Sequence, residues 1–364
     1  MKKYLFTSES VTEGHPDKMC DKICDKILDC ALMQDPYSHI AIEATIKDNF
    51  VLLYGEASTN AILNYEEIVK EVIKDIGYTE DFEVMTKIFE QSPEIRNAVV
   101  GDKAKAGDQG IMFGFACSDT AELMPLPIML ANNLAKRLSE VRKRDNNTFL
   151  LPDGKTQVTV EYDDNKPVRI DTVVIACQHR KDIDYEFLYN FIKTEVILSV
   201  LPTDLCDKNT KYLINTSGSF VVGGPFADGG TTGRKIVVDT YGGMGRVGGG
   251  CFSSKDPTKV DRSGAYYARY VAKNIVAYGL ADKVEIGVSY AIGREQPISV
   301  FIETFGTNKI NTSEIDKFVH DNFDFSVDNI IKELELRKPI YYDLASYGHF
   351  GRSGYLWENK KDIH

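Results

Sequence analysis

The chain has 364 residues, of which 43% are apolar and 27% charged, and a formal net charge of −11. That length exceeds what one hydrophobic core usually organises, so two or three domains are expected. The acidic balance argues against a nucleic-acid binder, which needs a basic surplus to displace counterions from phosphates. The first residues lack the apolar run of a signal peptide and no stretch reaches the length of a membrane span, so a soluble, cytoplasmic protein with neither a membrane nor a nucleic acid as partner is expected.

In chain order, the first site-like segment is Glu13-Gly14-His15-Pro16-Asp17-Lys18, which runs into a helical pattern over Pro16–Gln34 with Ile23, Ile27 and Ala31 on one face. Proline suits the first helical position, and the free N–H groups and dipole at that end favour anions, so the segment reads either as a capped helix start or as a dock for a phosphate and its metal. Cys20 and Cys24 lie one turn apart within it, and read as core packing, a shared metal being the alternative. The seven cysteines include no Cys-x-x-Cys pair and have no nearby His to complete a zinc set.

Residues 40–58 read as strand, polar turn and strand, from their alternation and β-branched content. The plan recurs over residues 157–178 and again over 283–306. Each hairpin follows a helical pattern (Pro16–Gln34, residues 126–142 and residues 263–279) and precedes another (Tyr65–Ile76, residues 185–200 and residues 313–323). The economical architecture is α/β (α+β): three similar helix–hairpin–helix units with pseudo-threefold symmetry, each a sheet backed by helices. The expected divisions are residues 1–100, 101–220 and 221–364. Sheet faces left uncovered favour a dimer. Residues 91–114 are polar and unpatterned in the middle and read as a lid, the alternative being an ordinary surface linker. At its end, Ala106-Gly107-Asp108-Gln109-Gly110 is either a simple turn or a place where Asp108 faces a substrate.

Residues 223–261 hold eleven of the 28 glycines together with Arg234, Lys235, Arg246, Lys255, Lys259, Asp228, Asp239, Asp256 and Asp261. Glycine lets backbone N–H groups approach an anion, cations neutralise it, and carboxylates hold the accompanying magnesium; a polyphosphate needs all three. Gly243-Met244-Gly245-Arg246-Val247-Gly248 matches a dinucleotide fingerprint behind a plausible strand over residues 235–241, but three consecutive glycines stand where its helix should begin. There is no Walker loop, no nucleophile elbow and no zinc-protease motif. Chemistry is therefore expected to rest on positioning and electrostatics between bound small molecules.

Gly14-His15-Pro16-Asp17-Lys18, Gly107-Asp108-Gln109-Gly110 and Gly248-Gly249-Gly250-Cys251-Phe252-Ser253-Ser254-Lys255-Asp256 closely resemble the signatures of S-adenosylmethionine synthetases, and the similarity runs from Phe6 to Arg352. The resemblance implies attack of the methionine sulfur on C5′ of ATP, followed by cleavage of the expelled tripolyphosphate to pyrophosphate and phosphate. It further implies that His15 steadies the departing oxygen, that Asp17 and Asp261 hold two magnesium ions, and that Glu43 holds one potassium ion. Lys155, Arg234, Lys235, Lys255 and Lys259 would contact phosphates or substrate, Lys259 also lying near methionine. Glu56, Gln91, Asp108 and Asp228 match positions that hold methionine or adenosine, Asp153 a nucleotide-site acid, Phe220 the adenine-stacking aromatic, and Cys251 falls within the ATP-binding segment. A homodimer with shared active sites, paired into a homotetramer, is implied as well, with the choice between dimer and tetramer left open by the residues. The sequence departs from the pattern at Cys251 and Ser254, where Ala and Gly are usual, at Ser219, which replaces an Arg, and in a shorter lid. A small-molecule kinase built on the same polyphosphate logic is the competing reading.

Overall fold

The computed structural model describes residues 3–91, 103–144 and 149–363. Three antiparallel hairpins form where the alternation predicts them. In the first, β2 (His39–Lys47) and β3 (Phe50–Ser58) turn on Asp48 and Asn49, with Ile40, Ile42, Ala44 and Ile46 buried on one face. In the second, β6 (Leu150–Asp163) and β7 (Lys166–His179) turn on Asp164 and Asn165, both left-handed, the two-residue geometry that Asp and Asn tolerate and strand twist favours. The third joins β10 (Lys283–Tyr290) to β11 (Ser299–Glu303). The helices α1 (Pro16–Gln34), α3 (Leu126–Arg144) and α6 (Val260–Ala277) precede them, and α2 (Tyr65–Ile76), α4 (Tyr185–Phe191, continued as the π-helical turns Ile192–Ile197) and α7 (Thr312–Asn322) follow.

The periodicity does not reveal that each unit opens with a strand that serves the next one. Strand β1 (Lys3–Val11), ahead of α1, pairs with β6 of the second hairpin. Strand β5 (Gly110–Cys117), ahead of α3, pairs with β10 of the third. The short β9 (Gly230–Thr231), ahead of α6, closes the circle by pairing with β2 of the first. Parallel strands β4 (Glu83–Phe89), beside β3, and β8 (Lys211–Ile214), beside β7, complete two sheets of four strands and one of three. Helix α1 backs β2 and β9, α3 backs β6 and β1, and α6 backs β5 and β10. The first and third sheets share one continuous hydrophobic core, which Ile128 and Met129 of α3 also enter, while the second sheet has its own, and Met244 packs against both.

One expected element is different. Residues 235–241 are not a strand: Ile236–Asp239 form a short helix, α5, despite three β-branched residues. A tertiary contact overrides local preference here, because Lys18 of α1 binds Asp239, and the left-handed Gly242 ends the turn by returning its N–H to Val237 at 3.0 Å.

Helix α1 is buried almost throughout, charges included. Its aspartates recur every fourth residue and so line one face, and each binds a different stretch of the chain beyond residue 230. Asp17 accepts the Thr231 N–H at 3.0 Å and Asp21 the Gly233 N–H at 2.9 Å. Asp25 takes the Ser253 hydroxyl, the Ser254 N–H and both arms of Arg262, at 2.7–3.2 Å. Asp29 takes the Tyr341 and Tyr342 N–H groups at 3.0 and 2.8 Å.

Removing one partner of a buried ion pair leaves an uncompensated charge, so Asp25→Ala is expected to lower stability by about 3–5 kcal/mol, readable as a shift in denaturant midpoint, with Arg262→Met added to it restoring much of the loss. Burial pushes the Asp29 carboxyl up to about 6, against the two tyrosine N–H groups that pull it down. The folded state therefore binds the Asp29 proton more tightly than the unfolded chain, and this contribution is present below the ordinary carboxylate pKa and lost as pH rises through about 6. Asp29→Asn keeps an acceptor for both N–H groups and does not ionise, so its stability relative to the parent should rise by roughly 1–3 kcal/mol between pH 4 and pH 8. A pH-independent difference in melting would contradict this.

Candidate active site

The amino end of α1 is the starting point. His15 is its N-cap, and the ring Nδ1 accepts the Asp17 N–H at 3.2 Å, which puts the ring proton on Nε2. Burial, and then the charge of Lys235, push its pKa down to about 3, with Asp17 acting in the opposite direction. The ring is thus a neutral donor through Nε2–H. Gly14 lies so close to Pro152 that a Cβ would come within 2.4 Å, which is why the residue before His15 has no side chain.

Around His15 stand Asp17, Lys235 and Arg234. Lys235 Nζ lies 2.6 Å from one Asp17 oxygen, and the Arg234 guanidinium, mostly exposed, lies 3.7 Å from the other. Burial raises the Asp17 pKa, but the Lys235 and Thr231 hydrogen bonds and the Lys235 charge outweigh it and hold the carboxyl below its ordinary value. Lys155, exposed on β6 opposite Val11, and the exposed Asp228 also act on His15 electrostatically.

A second group lies where residues 251–261 pass the first sheet. Lys255 Nζ is 2.6 Å from Asp261, which stands in the first turn of α6, and Gly250 is so close that a Cβ there would meet that carboxylate at 2.2 Å. Burial lowers the Lys255 pKa, yet Cys251 and Asp261 beside it leave it raised. Ser254 donates its hydroxyl to Glu43 at 2.9 Å, and burial raises the Glu43 carboxyl. Lys255 also bridges Ala41, which is opposite Glu56 across β2 and β3. Glu56 is therefore on the same sheet face as Glu43, and Gln91 reaches that strand end through its N–H to the Ser58 hydroxyl at 3.3 Å. Lys259 caps α6 without a side-chain bond to it, pairs with Asp256 at 3.1 Å, and packs beside Gly107, next to Asp108.

The third group is at the end of β7. Asp153 is buried and accepts the Gly224 N–H at 2.7 Å, burial raising its pKa. Half-buried Phe220 is held through its main chain by His179. The expected residues thus fall into three groups, and α1 joins the first two through Asp17, Asp21 and Asp25. Residues 92–102 of the expected lid lie outside the described residues. Its later end is tied down by the Gly107 N–H to Thr258 at 2.9 Å and by Ala106, whose main chain exchanges bonds with Gly293 and Arg294.

Two kinds of residue escape the sequence reading: the carboxylates Asp21, Asp25 and Asp29 of α1, and Gln178 with His179 beside Phe220; Lys18, expected with His15 and Asp17 at a phosphate dock, is instead fully buried and shared between Asp21 and Asp239, because a lysine on the inner face of α1 meets those carboxylates and not solvent. The fourfold spacing of Asp along a helix with few exposed residues was the available signal, since unpaired buried carboxylates are costly and imply partners elsewhere.

Mixed sheet and helix, with Lys235, Arg234 and Asp17 beside a neutral histidine, suit a transferase that works on small anionic molecules. The chain matches the S-adenosylmethionine synthetase N-terminal domain over residues 3–94, the central domain over 103–220 and the C-terminal domain over 222–359. It belongs to the S-adenosylmethionine synthetase family and is a methionine adenosyltransferase, with ATP and methionine as substrates and metal ions in use. Nothing in these matches favours the kinase reading. Among the described residues no helix is long and apolar enough to cross a membrane.

Cys251, set against Gly233, has its pKa pushed up to about 11 by burial, only partly offset by Lys255. Its thiolate is scarce near neutrality, so alkylation at pH 7.5 is expected to be about a hundredfold slower than for a free thiol and to speed up as pH rises. Peptide mapping by mass spectrometry, with and without ATP, checks this, and modification there should inhibit.

Proposed function

We propose that the adenosyl transfer is carried out by these residues in the roles that the motifs imply. The sulfur lone pair of methionine attacks C5′ of ATP, the C5′–O5′ bond breaks, and its electrons leave with the tripolyphosphate, which water then cleaves to pyrophosphate and phosphate. The catalytic residues are His15, Lys155, Arg234 and Lys255, with Lys235 and Cys251 also against the triphosphate. His15 donates Nε2–H to the departing oxygen and the four cations spread its charge. This suits a displacement without a covalent enzyme intermediate, in which positioning and neutralisation do the catalysis. Asp153 and Phe220 hold the adenosine, Asp228, Glu56, Gln91 and Lys259 the methionine, and Asp108 the adenosine side of the lid. The observation that carries the reading is the neutral His15 ring, fixed through Nδ1 by the Asp17 N–H and under the charges of Lys235 and Lys155, with its one proton on the unbonded side of the ring.

Two magnesium ions per site fit Asp17 and Asp261. Each is a single carboxylate already facing a lysine, and magnesium takes one or two carboxylates and completes its shell with substrate phosphates and water. No group of three potential ligands converges among the described residues, so such ions would depend on bound substrate. Glu43 with the Ser254 hydroxyl offers oxygen ligands suited to potassium. When bound, the metals supply charge neutralisation at the triphosphate.

The functional assembly in this reading is a cytoplasmic homodimer with shared sites, pairing into a homotetramer, with domains at residues 1–100, 101–220 and 221–364. Exposed Tyr54, Met85 and Phe89 on the first sheet and Ile111 and Phe301 on the third support it, since apolar faces of that kind favour a covering partner. Glu43 and Glu56 stand on the first of these sheets, so the covering copy would meet the site. All seven cysteines are unpaired, as a reducing compartment requires.

Incubation with methionine and ATP should yield a sulfonium product with both pyrophosphate and phosphate; ADP without sulfonium would sink the proposal. His15→Asn is expected to slow sulfonium formation by about 10²–10³-fold, the usual cost of losing one transition-state donor, while hydrolysis of added tripolyphosphate falls far less. Equal losses in the two steps would remove His15 from the leaving-group role.

A further inference from the structure

The β7–β8 ladder ends at Ile175 and Ile214, with the Asn215 N–H still bonded to the Ile175 carbonyl at 2.9 Å. Beyond that point the chain leading to Phe220 leaves the sheet, and three consecutive residues at the end of β7 capture it by side chain or main chain. Cys177 exchanges two bonds with the Asn215 amide, N–H to Oδ1 at 2.8 Å and Nδ2 to the carbonyl at 3.0 Å. Gln178 donates Nε2 to the Val221 carbonyl at 3.0 Å and accepts the Asp153 N–H at 3.2 Å, and its side chain fills the space that a Cβ on Gly223 would need.

His179 takes both main-chain groups of Phe220. Its N–H donates to the Phe220 carbonyl at 2.9 Å, and its ring Nε2 accepts the Phe220 N–H at 3.1 Å. The ring Nδ1 lies 2.8 Å from the Arg180 carbonyl, which fixes the ring proton on Nδ1 and leaves Nε2 as an acceptor, the opposite tautomer from His15. Both Gln178 and His179 are buried. A loop residue with both main-chain groups bound to one buried neighbour has lost most of its backbone freedom, and its side chain leaves the main chain from one fixed place.

We propose that His179, assisted by Gln178, is a positioning residue for the nucleobase: it fixes the main chain that carries the Phe220 ring, and its bridge through Gln178 to Asp153 keeps that segment in register with the acid that faces the nucleoside. The ligand class is a purine nucleoside triphosphate, and what His179 controls is base binding, not the chemistry at C5′. This rests on the reading of Phe220 as the adenine platform.

The test exploits the fact that tripolyphosphate carries no base. In His179→Ala the Phe220 N–H loses its buried acceptor, and the KM for ATP should rise about tenfold, while the KM for methionine and the hydrolysis of added tripolyphosphate stay within about twofold. His179→Gln returns an acceptor oxygen and should recover part of the ATP affinity. Phe220→Ala, run alongside, should raise the ATP KM at least as much. If Phe220→Ala leaves that KM unchanged, the platform reading fails; if Phe220→Ala raises it and His179→Ala does not, the positioning role fails. A parallel loss of tripolyphosphate hydrolysis in His179→Ala would reduce the residue to a structural one and overturn the proposal. Should that variant fail to fold, His179→Gln carries the test through amide exchange at Phe220, which must speed up together with the rise in ATP KM.

Discussion

The ladder of carboxylates along α1 is the constraint on which the rest of this structure depends. Asp17, Asp21, Asp25 and Asp29 are spaced one helical turn apart on a buried helix. Burying four carboxylates would be prohibitive unless each met donors, so the helix can sit at the centre of the molecule only if the distant segments that supply Thr231, Gly233, Ser254, Arg262, Tyr341 and Tyr342 are folded against it. The glycine-rich segment has little secondary structure of its own. It acquires one conformation because its N–H groups have fixed partners on a rigid helix, and that is the kind of support a phosphate grip made of loop needs.

The same economy appears among the cations. Lys235 and Lys255 wait against Asp17 and Asp261, and Lys259 against Asp256, so the positive charges are neutralised and placed before any anion arrives. In the proposed reaction such counterions would limit reorganisation when a triphosphate replaces them in part. Lys18 plays a structural counterpart: shared between Asp21 and Asp239, it ties α1 to the short helix α5, whose leading residues are Arg234 and Lys235. The unusual residues near Lys255 also find physical reasons. Ser254 has a positive φ of 81°, a conformation in which a side chain costs roughly 1 kcal/mol and which glycine adopts freely; its hydroxyl recovers part of that cost through the bond to Glu43.

Strand exchange gives the units their cohesion. Because β1, β5 and β9 each complete the sheet of another unit, no third of the chain owns all the strands of its sheet, and the amino end of α1 is brought beside β6, with Thr12 bonded to Pro152 and Gly154. That contact places His15 near Lys155 and Asp153. The proposed site therefore lies where the exchange brings different units together.

Much of this was legible in the residues alone. Alternation and helical periodicity defined three hairpins and the helices on either side of them, since the side-chain pattern of a half-buried element is local. The glycine, lysine and aspartate composition of residues 223–261 and the cap at His15-Pro16 point to the proposed phosphate site for the same reason: each motif carries its chemistry within a few residues. What the residues alone did not determine is everything decided by long-range pairing. The strand exchange, the short helix in place of a strand at Ile236–Asp239, the partners of the α1 carboxylates and the hold of Gln178 and His179 on the Phe220 segment join groups that are between 41 and 313 positions apart in the chain. A side chain's own neighbours in sequence fix its propensity and its face, but which distant donor satisfies a buried carboxylate is set by packing, and only the tertiary structure decides it.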